Sequence, residues 1–318
     1  MASRNHSTIT EFILLGLSAD PKMQALLFVL FLGVYLLTML GNLMMLLVIR
    51  TDSHLHTPMY FFLNHLSFVD LCFSSVTVPK MLENLLSQKK TISVKGCPAQ
   101  IFFVLITGGT EICLLSVTAY DHYAAICHPL LYGQVMSKQR CVQLVCGSWA
   151  LGFLNRLINV PLAMKMDFCD TYIIPHYSCE LPSIFLLSCS DVSTNFLVML
   201  CSTIPHALTT FLSIFFSYIH IIFTILSITS TTGRNKAFST CSSHLTAVIF
   251  FYGSGFLRYF MPTSGSALEL IFSVQYGLIT PMLNPLIYSL KNKEVKAAVR
   301  RTLGKYLQCV QWQNKEKG

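Results

Sequence analysis

Two groups of titratable side chains interrupt the apolar segments of this chain. The first is the stretch TAYDHYAAIC at 118–127, which places an acid, an imidazole and two phenols in the four positions from Tyr120 to Tyr123. The second is a pair of isolated acids, Asp70 and Glu111, each inside an apolar run. Ionisable groups are costly in hydrocarbon, so residues of this kind are functional candidates by default.

The acid pair is suited to proton or cation chemistry. Asp70 and Glu111 fall near the middle of their runs, and no lysine inside a run is available to pair with them. Two acids at one depth predict a shared proton or a bound cation; the competing interpretation is that each acid is protonated and bonded to neighbouring hydroxyls. Glu111 and His122 share one helical face, about 16 Å apart along the axis.

Composition and run length identify the elements that position these residues. Of the 318 residues, 53% are apolar and 11% are charged, a charged share well below that of a globular surface. Seven runs are long enough for a helix to cross about 30 Å of hydrocarbon. The predicted spans are Ala25–Ile49, Pro58–Val78, Ala99–Ile126, Cys141–Leu162, Phe196–Ile228, Ser239–Met261 and Ile271–Leu290. The sequence therefore predicts an all-α membrane protein, a seven-transmembrane helix bundle.

A glycosylation sequon and the distribution of charge predict the orientation and the domain boundaries. Asn5 begins an Asn-His-Ser sequon, so residues 1–24 are expected to be extracellular. Residues 25–290 then form the transmembrane domain. With this orientation, most of the 22 Lys and Arg residues fall on the cytoplasmic side, as the positive-inside rule requires. The cytoplasmic region 291–318 contains KNKEVKAAVRRTLGKYL, which predicts a short amphipathic eighth helix along the bilayer. We expect a multi-pass protein of the plasma membrane.

Several other protein classes are disfavoured. There is no basic stripe with interleaved aromatic residues to indicate nucleic acid as a partner. HExxH and paired CxxC spacings are absent, and no nucleophile, base and orienting group fall on plausible shared faces, so we expect neither an enzyme nor a resident cofactor. A transporter or channel stays a minor alternative, although no internal repeat relates one set of spans to another.

Six stretches, taken together and in order, resemble one family. They are Gly41-Asn42, LHTPMYFFLNHLSFVDLC at 55–72, TAYDHYAAICHPLLY at 118–132, Ser217-Tyr218, KAFSTCSSHLTAV at 236–248 and PMLNPLIYSLKNKEVKAA at 281–298. The chain is similar to the odorant receptors, a branch of the rhodopsin-like G-protein-coupled receptors. This resemblance implies a receptor for a small volatile organic odorant, which activates a stimulatory, olfactory-type G protein and raises cyclic AMP. It also implies a location in the cilia of olfactory sensory neurons.

The resemblance further implies roles for individual residues. Asp70 and Glu111 match the acids that line an inner cation pocket in these receptors, where Na⁺ would bind. Pro285 belongs to an NPxxY motif in the last span. The residues implied in the activation switch and in G-protein coupling are Asp121, His122, Tyr123, Tyr218, Asn284, Pro285 and Tyr288.

The long outer connection, from about Ala163 to Asn195, is rich enough in polar residues, prolines and cysteines to form a structured lid. Four cysteines fall at or beyond outer span ends and can pair in three ways. The resemblance implies Cys97–Cys179 and Cys169–Cys189, with Cys97–Cys189 kept as the alternative connectivity.

The resemblance implies that the ligand enters the outer half of the bundle, and helical facing selects the candidate residues that would line the pocket there. Its lining is mostly apolar with a few hydroxyls, which suits a small, weakly polar molecule. His206 is placed to donate to a carbonyl or, when protonated, to attract a carboxylate. No buried acid is expected nearby, so amine ligands are disfavoured; helix packing is the competing role for each candidate, particularly the glycines. The candidates are Val104, Leu105, Gly108, Gly109, Asn155, Asn159, Met199, Ser202, Thr203, His206, Tyr252, Phe256, Tyr259, Val274 and Gly277.

One stretch departs from the family pattern. The third-span motif is normally MAYDRYVAIC, and this chain has Thr118, His122 and Ala124 where Met, Arg and Val are usual. Histidine is shorter than arginine, has no bidentate fork and is mostly neutral at pH 7, although the adjacent Asp121 would favour its charged form. We therefore expect weak or altered coupling, with raised or pH-sensitive basal activity. An intact receptor that couples poorly is the main alternative to a signalling receptor.

Overall fold

Seven long helices and a terminal eighth helix make up most of the chain. The computed structural model describes residues 10–168, 172–260 and 266–316. The first six helices are α1 (Pro21–Thr51), α2 (Pro58–Leu86), α3 (Gly96–Cys127), α4 (Lys138–Met164), α5 (Ser193–Ser227) and α6 (Thr231–Phe260). Helix α7 consists of Ala267–Val274, a π-helical turn at Gln275–Ile279, and Thr280–Lys291, and it is followed by α8 (Lys293–Glu316). Short helical turns at Ser53–Leu55, Tyr132–Val135 and Leu181–Phe185 lie in the connections.

The seven predicted spans correspond to α1 through α7. Six of these helices are long and apolar enough to cross a membrane by length and composition. The remaining one, α6, begins at Thr231 rather than at the predicted Ser239, and its first two turns contain the polar stretch TTGRNK. Large apolar side chains point outwards along the bundle, as a hydrocarbon solvent requires; on α1 they include Leu26, Val29 and Leu40.

Polar caps and prolines begin several of the helices. The Asp20 carboxylate accepts a hydrogen bond from the Lys22 backbone N–H, and Pro21 follows it as the first helical residue of α1. Ser137 caps α4 in the same way, and Ser266 caps α7. These side chains satisfy backbone N–H groups that have no partner within the helix.

Three short strands, which were not predicted from the sequence, close one end of the bundle. β1 (Glu11–Leu14) lies between β2 (Thr91–Ser93), to which it is antiparallel, and β3 (Ile173–Ile174), to which it is parallel. Alternate residues of β1, Phe12 and Leu14, are buried in an apolar cluster above the helices. We call this the sheet end of the bundle. The opposite end, where α8 packs against α1, is the α8 end.

Helix α3 lies at the centre of the bundle and packs against α2, α4, α5 and α6. The largest apolar cluster surrounds its second half and reaches the α8 end, with Leu115 and Ala119 of α3 packed among side chains of six other helices, such as Ile221 and Ala247. This central position explains why both α3 acids and His122 are buried.

Candidate ligand cavity and switch region

A mainly apolar cavity of about 210 Å³ lies between α3, α4, α5, α6 and α7, in the half of the bundle nearer the sheet end. Nine of the predicted residues line it: Val104, Leu105, Gly108, Gly109, Asn155, Thr203, His206, Tyr252 and Phe256. Six lining residues were not predicted: Ile112, Ile204, Ala207, Phe251, Gly255 and Tyr276. Phe251 and Gly255 share a face with Tyr252 and Phe256, so helical periodicity contained the signal for both.

Asn159 and Ser202 close the α4–α5 interface beside the cavity instead of lining it. The Asn159 side-chain N–H group donates to Ser202 Oγ at 3.0 Å and to the Asn155 carbonyl at 2.8 Å. The Asn155 side chain itself donates to the Ser202 carbonyl at 3.4 Å. Met199 is buried one helical turn further towards the sheet end, in the cluster beneath the strands.

The α7 candidates also lie away from the cavity. Val274 packs near Phe31 in an apolar cluster of α1, α2 and α7. Gly277 borders a smaller chamber, and a Cβ built there would lie 3.2 Å from the Tyr177 hydroxyl. The π-helical turn shifts the facing of this segment, which brings Tyr276 to the cavity. The Tyr259 side chain lies outside the described residues.

The two α3 glycines are required by close packing as well as by the cavity. A Cβ at Gly109 would approach the Gly152 Cα of α4 to 3.0 Å, and a Cβ at Gly108 would approach the Tyr276 hydroxyl to 2.6 Å. His206 lies beside Gly109, and its Nε2 is 2.9 Å from the Cys113 sulfur. Its Nδ1 has no hydrogen-bond partner in the described part of the chain, so this atom is free to bind a ligand.

A buried ion cluster lies next to the cavity, around a chamber of about 30 Å³ that shares Val104, Leu105 and Tyr276 with it. Arg258 of α6 is 2.6 Å from Glu180 of the long connection and 3.4 Å from Glu269 of α7. The expectation that no buried acid lies near the outer half of the bundle is therefore wrong. Both acids pair with Arg258, a contact that sequence order does not reveal.

Burial alone would raise the pKa of Glu180, but His176 and Arg258 hold the pKa of this carboxyl below its ordinary value. Burial lowers the pKa of the His176 imidazole, which is hydrogen-bonded to Ser178 and Ser273. Arg258 is permanently charged and, at 2.6 Å, is the nearest cation to the Glu180 carboxylate, since the His176 ring nitrogen lies 3.8 Å away.

The long connection is fixed to α3 by a disulfide bond between Cys97 and Cys179. The Gln100 side-chain oxygen accepts a hydrogen bond from the Cys179 backbone N–H at 2.8 Å. Because Cys97 is bonded to Cys179, the alternative Cys97–Cys189 pairing is excluded. Cys169, the predicted partner of Cys189, lies outside the described residues, as does the sequon residue Asn5.

The acid pair lies midway along the bundle with Asn284 of α7 beside it. The Asn284 amide donates to both Asp70 carboxylate oxygens, at 3.0 and 3.3 Å. One Glu111 carboxylate oxygen is buried without a hydrogen-bond partner among the described residues, as are the Ser74 and Tyr288 hydroxyls. The described part of the chain contains no cluster of three or more His, Cys, Asp or Glu residues of the kind that binds a metal.

His122 lies in a stack of three rings at the α8 end of α3. Its Nδ1 is 2.6 Å from the Thr118 carbonyl, and its ring stacks on His244 of α6 with centroids 5.3 Å apart. His244 also stacks on Tyr218 of α5; its Nδ1 is 2.8 Å from the Tyr218 hydroxyl, and its Nε2 is 3.0 Å from the Leu115 carbonyl. The stack thus connects α3, α5 and α6.

Asp121 does not contact His122, contrary to the expectation that it would favour a charged imidazole. Its carboxylate accepts a hydrogen bond at 2.8 Å from the hydroxyl of Tyr132, which lies in the short helix after α3. Adjacent residues on a helix point about 100° apart, so the two side chains leave α3 in different directions. Tyr123 points elsewhere again, with its hydroxyl 2.9 Å from His128 Nε2.

Tyr288 and Pro285 of α7 lie between the acid pair and the α8 end, in tightly packed surroundings. Tyr288 is buried in the central apolar cluster. A Cβ at Gly41 of α1 would lie 3.0 Å from the Pro285 ring, so α1 and α7 are in close contact here. The switch candidates therefore extend from the acid pair, where Asn284 lies, to the ring stack at the α8 end.

Three comparisons with known proteins agree with this arrangement. The model of a family described as olfactory receptor matches residues 31–306. Olfactory receptor 8S1 of Homo sapiens is 70% identical over 296 residues, which cover 93% of this chain and 82% of that protein. Olfactory receptor 5G9 of Mus musculus is 50% identical over 307 residues, 96% of this chain and 98% of that protein. The crystal structure of squid rhodopsin aligns with a TM-score of 0.73 at 19% identity, covering 92% of this chain and 88% of that one, and this likeness shows the fold.

Proposed function

Because this chain belongs to the olfactory receptor family of rhodopsin-like G-protein-coupled receptors, we propose that it binds a small, weakly polar volatile molecule and activates a stimulatory, olfactory-type G protein. Cyclic AMP would then rise. The chain is a receptor of the plasma membrane, not an enzyme, and its partners in general are an odorant and a G protein. The N-terminus would be extracellular, so that the sheet end faces outwards, and the receptor would operate in olfactory cilia.

The apolar cavity is the observation that supports this proposal most strongly. Its volume of about 210 Å³ is smaller than the ~300 Å³ lower limit of pockets for drug-sized ligands. Such a site selects small molecules. The Nδ1 of His206 supplies a polar group on a mainly apolar wall, which suits a carbonyl-bearing or hydroxyl-bearing odorant.

The contacts of α6 provide the route from ligand to G protein. Near the cavity, the Tyr252 hydroxyl donates to Thr210 of α5 at 2.9 Å. At the α8 end, His244 of the same helix contacts α3 and α5. A ligand that favours a different position of Tyr252 therefore acts on a helix that also contributes to the ring stack. It shifts the population towards an open α8 end by no more than its differential affinity for the two states.

The acid pair is suited to a sodium ion. The carboxylates of Asp70 and Glu111 and the Ser74 hydroxyl are buried oxygen donors, and the hydroxyl and one Glu111 oxygen have no partner among the described residues. Hard cations prefer such ligands. A bound Na⁺ would supply positive charge between two acids and favour the closed bundle, in which Asn284 binds Asp70.

His122 supports a second candidate function, an intact receptor that couples weakly. The imidazole is already engaged with Thr118 and His244, and it has no guanidinium fork to offer a partner protein. The first test is a panel of volatile alcohols, aldehydes, ketones, acids and amines applied to cells that express the chain with the olfactory-type G protein. Ligand-evoked cyclic AMP supports a signalling receptor. Receptor at the cell surface with no response to any panel member would contradict it.

A matched pair of glycine variants tests whether the cavity binds the ligand. Gly255 lines the cavity and Gly253 does not, yet a Cβ at either position meets no atom within 4 Å. Gly255→Leu should fill the cavity and lower the potency of every active ligand. Gly253→Leu should leave potency unchanged. Equal effects of the two substitutions would place ligand recognition elsewhere.

A further inference from the structure

A second and larger groove, of about 530 Å³, lies at the α8 end of the bundle. The end of α1, the Ser53–Leu55 turn, the start of α2 and the start of α4 form it. Leu55, Phe61 and Met136 contribute to an apolar floor. Neither the ligand cavity nor the ring stack includes any of these residues.

The polar rim of the groove is basic. Arg50, His56 and Lys138 line it, and no carboxylate does. Within the described ranges, no acid forms an ion pair with Arg50 or Lys138. The acid nearest in sequence, Asp52, instead binds Arg301 of α8 at 2.7 Å. Two exposed cations therefore border an apolar groove, and neither has an ion-pair partner in the described part of the chain.

Two further features favour an anionic group at this position. Helix α4 begins at Lys138, which lines the groove, so the positive end of the helix dipole lies beside it. Asn64 of α2 lines the groove, and its side-chain oxygen is buried without a hydrogen-bond partner among the described residues. An acidic headgroup that also carries an N–H or O–H donor would satisfy both features.

An apolar seam leads from the groove along α2 and α4. Phe61 and Phe68 lie two turns apart on one face of α2, as do Val142 and Trp149 on α4. The Phe68 and Trp149 rings are 6.1 Å apart, and the side chains of Phe68 and Val142 are 46% and 44% exposed. The seam continues in the direction of the hydrocarbon core, where an acyl chain would lie.

We propose that this groove binds an anionic phospholipid of the inner leaflet, with its headgroup between Arg50 and Lys138 and one acyl chain along the α2–α4 seam. The proposal rests on the orientation given above, which places the α8 end at the cytoplasmic leaflet, and it is independent of the odorant. A sterol has one neutral hydroxyl, which does not match the positive charge of two cations and a helix N-terminus. Charge complementarity therefore favours the phospholipid.

Trp149 provides a reporter for this site. The chain contains two tryptophans, so Trp312→Phe leaves Trp149 as the only indole, about 10 Å along α4 from Val142. The purified full-length variant is placed in phosphatidylcholine vesicles in which one lipid in five carries brominated acyl chains. We expect brominated phosphatidylserine to quench Trp149 more strongly than brominated phosphatidylcholine, with a binding preference of about fivefold per cation.

Two double variants in the Trp312→Phe background separate a site from general surface charge. Arg50→Gln with Lys138→Gln should abolish the preference for phosphatidylserine. Lys296→Gln with Arg300→Gln removes the same charge from exposed positions on α8 and should retain it. Equal quenching by brominated phosphatidylserine and phosphatidylcholine in the Trp312→Phe receptor would overturn the proposal. Equal loss of the phosphatidylserine preference in the two double variants would also overturn it. Stronger quenching by a brominated sterol would assign the groove to a sterol and overturn it as well.

Discussion

His122 shows what a single changed residue does at the α8 end of α3. The sequence identified the position, because the motif is otherwise close to the family pattern. Its surroundings could not be read from the sequence, since the stack depends on His244 and Tyr218, which lie about one hundred residues further along the chain. The imidazole completes a contact between three helices and does not pair with Asp121.

His122→Arg should strengthen coupling. Arginine is always charged, offers five donors and can reach beyond the ring stack to a partner protein. At matched surface expression, we expect a larger ligand-evoked cyclic AMP signal and an altered basal signal. Gln134→Arg, which adds an arginine at an exposed position between α3 and α4, should match the unmodified receptor. Identical basal and evoked signals in the receptor and in His122→Arg would show that His122 does not weaken coupling.

His206→Ala should weaken responses to carbonyl-bearing and acidic odorants first. The substitution removes the one imidazole on the cavity wall. The half-maximal concentration for such ligands should rise about tenfold, equivalent to ~1.4 kcal/mol for one hydrogen bond. Responses to ligands without an acceptor should change less, and His206→Gln should recover part of the loss. Unchanged potency across the panel would show that His206 does not contact the ligand.

At the scale of elements, α6 contacts neighbouring elements near both ends of the bundle and beside the cavity. Near the sheet end, Arg258 connects it to the long connection and to α7. Beside the cavity, Tyr252 joins it to α5, and at the α8 end His244 joins it to α3 and α5. The polar first turns of α6 also extend this helix beyond the predicted span.

Arg258→Gln should destabilise the receptor. The substitution removes the guanidinium that pairs with Glu180 and Glu269, and loss of one partner from a buried ion pair costs about 3 kcal/mol. Thermal unfolding of the purified receptor should therefore begin at a lower temperature. Adding Glu269→Gln to this variant should recover part of the loss, since one uncompensated charge is removed. Strictly additive losses would show that the two residues do not interact.

Asp52→Asn should loosen α8, and the effect should depend on pH. The hydrogen bond from Arg301 holds the pKa of Asp52 well below its ordinary value. The pair therefore stabilises the folded receptor fully above about pH 4, where aspartate in the unfolded chain is ionised. The difference in unfolding temperature between the receptor and Asp52→Asn should be constant from neutral pH to that value. It should shrink as the pH falls further and Asp52 is protonated. A partly exposed pair of this kind contributes about 1 kcal/mol.

Glu294→Gln is the control for this measurement, because Glu294 is an exposed acid at the start of α8. It should leave the unfolding temperature unchanged. A difference between the receptor and Asp52→Asn that persists unchanged in acid would contradict the assigned role of the Arg301 contact.

At the scale of the whole molecule, the sequence predicted the features that hydrocarbon imposes. Seven apolar runs predicted seven helices, since a lipid-exposed chain must satisfy its own backbone hydrogen bonds. The same reasoning missed β1, whose four residues pair with segments about eighty and one hundred and sixty positions away. It also placed Val274 and Gly277 on the cavity by assuming a regular helix, which the π-helical turn of α7 interrupts.

Signalling by this receptor requires that occupancy of the cavity open the α8 end to a G protein. The most direct measurement is nucleotide exchange on a purified olfactory-type G protein, catalysed by the purified receptor in lipid nanodiscs. An active odorant should accelerate exchange, Gly255→Leu should abolish the acceleration, and Gly253→Leu should not. Exchange that is independent of odorant, while the odorant still binds in the cavity, would contradict the claim.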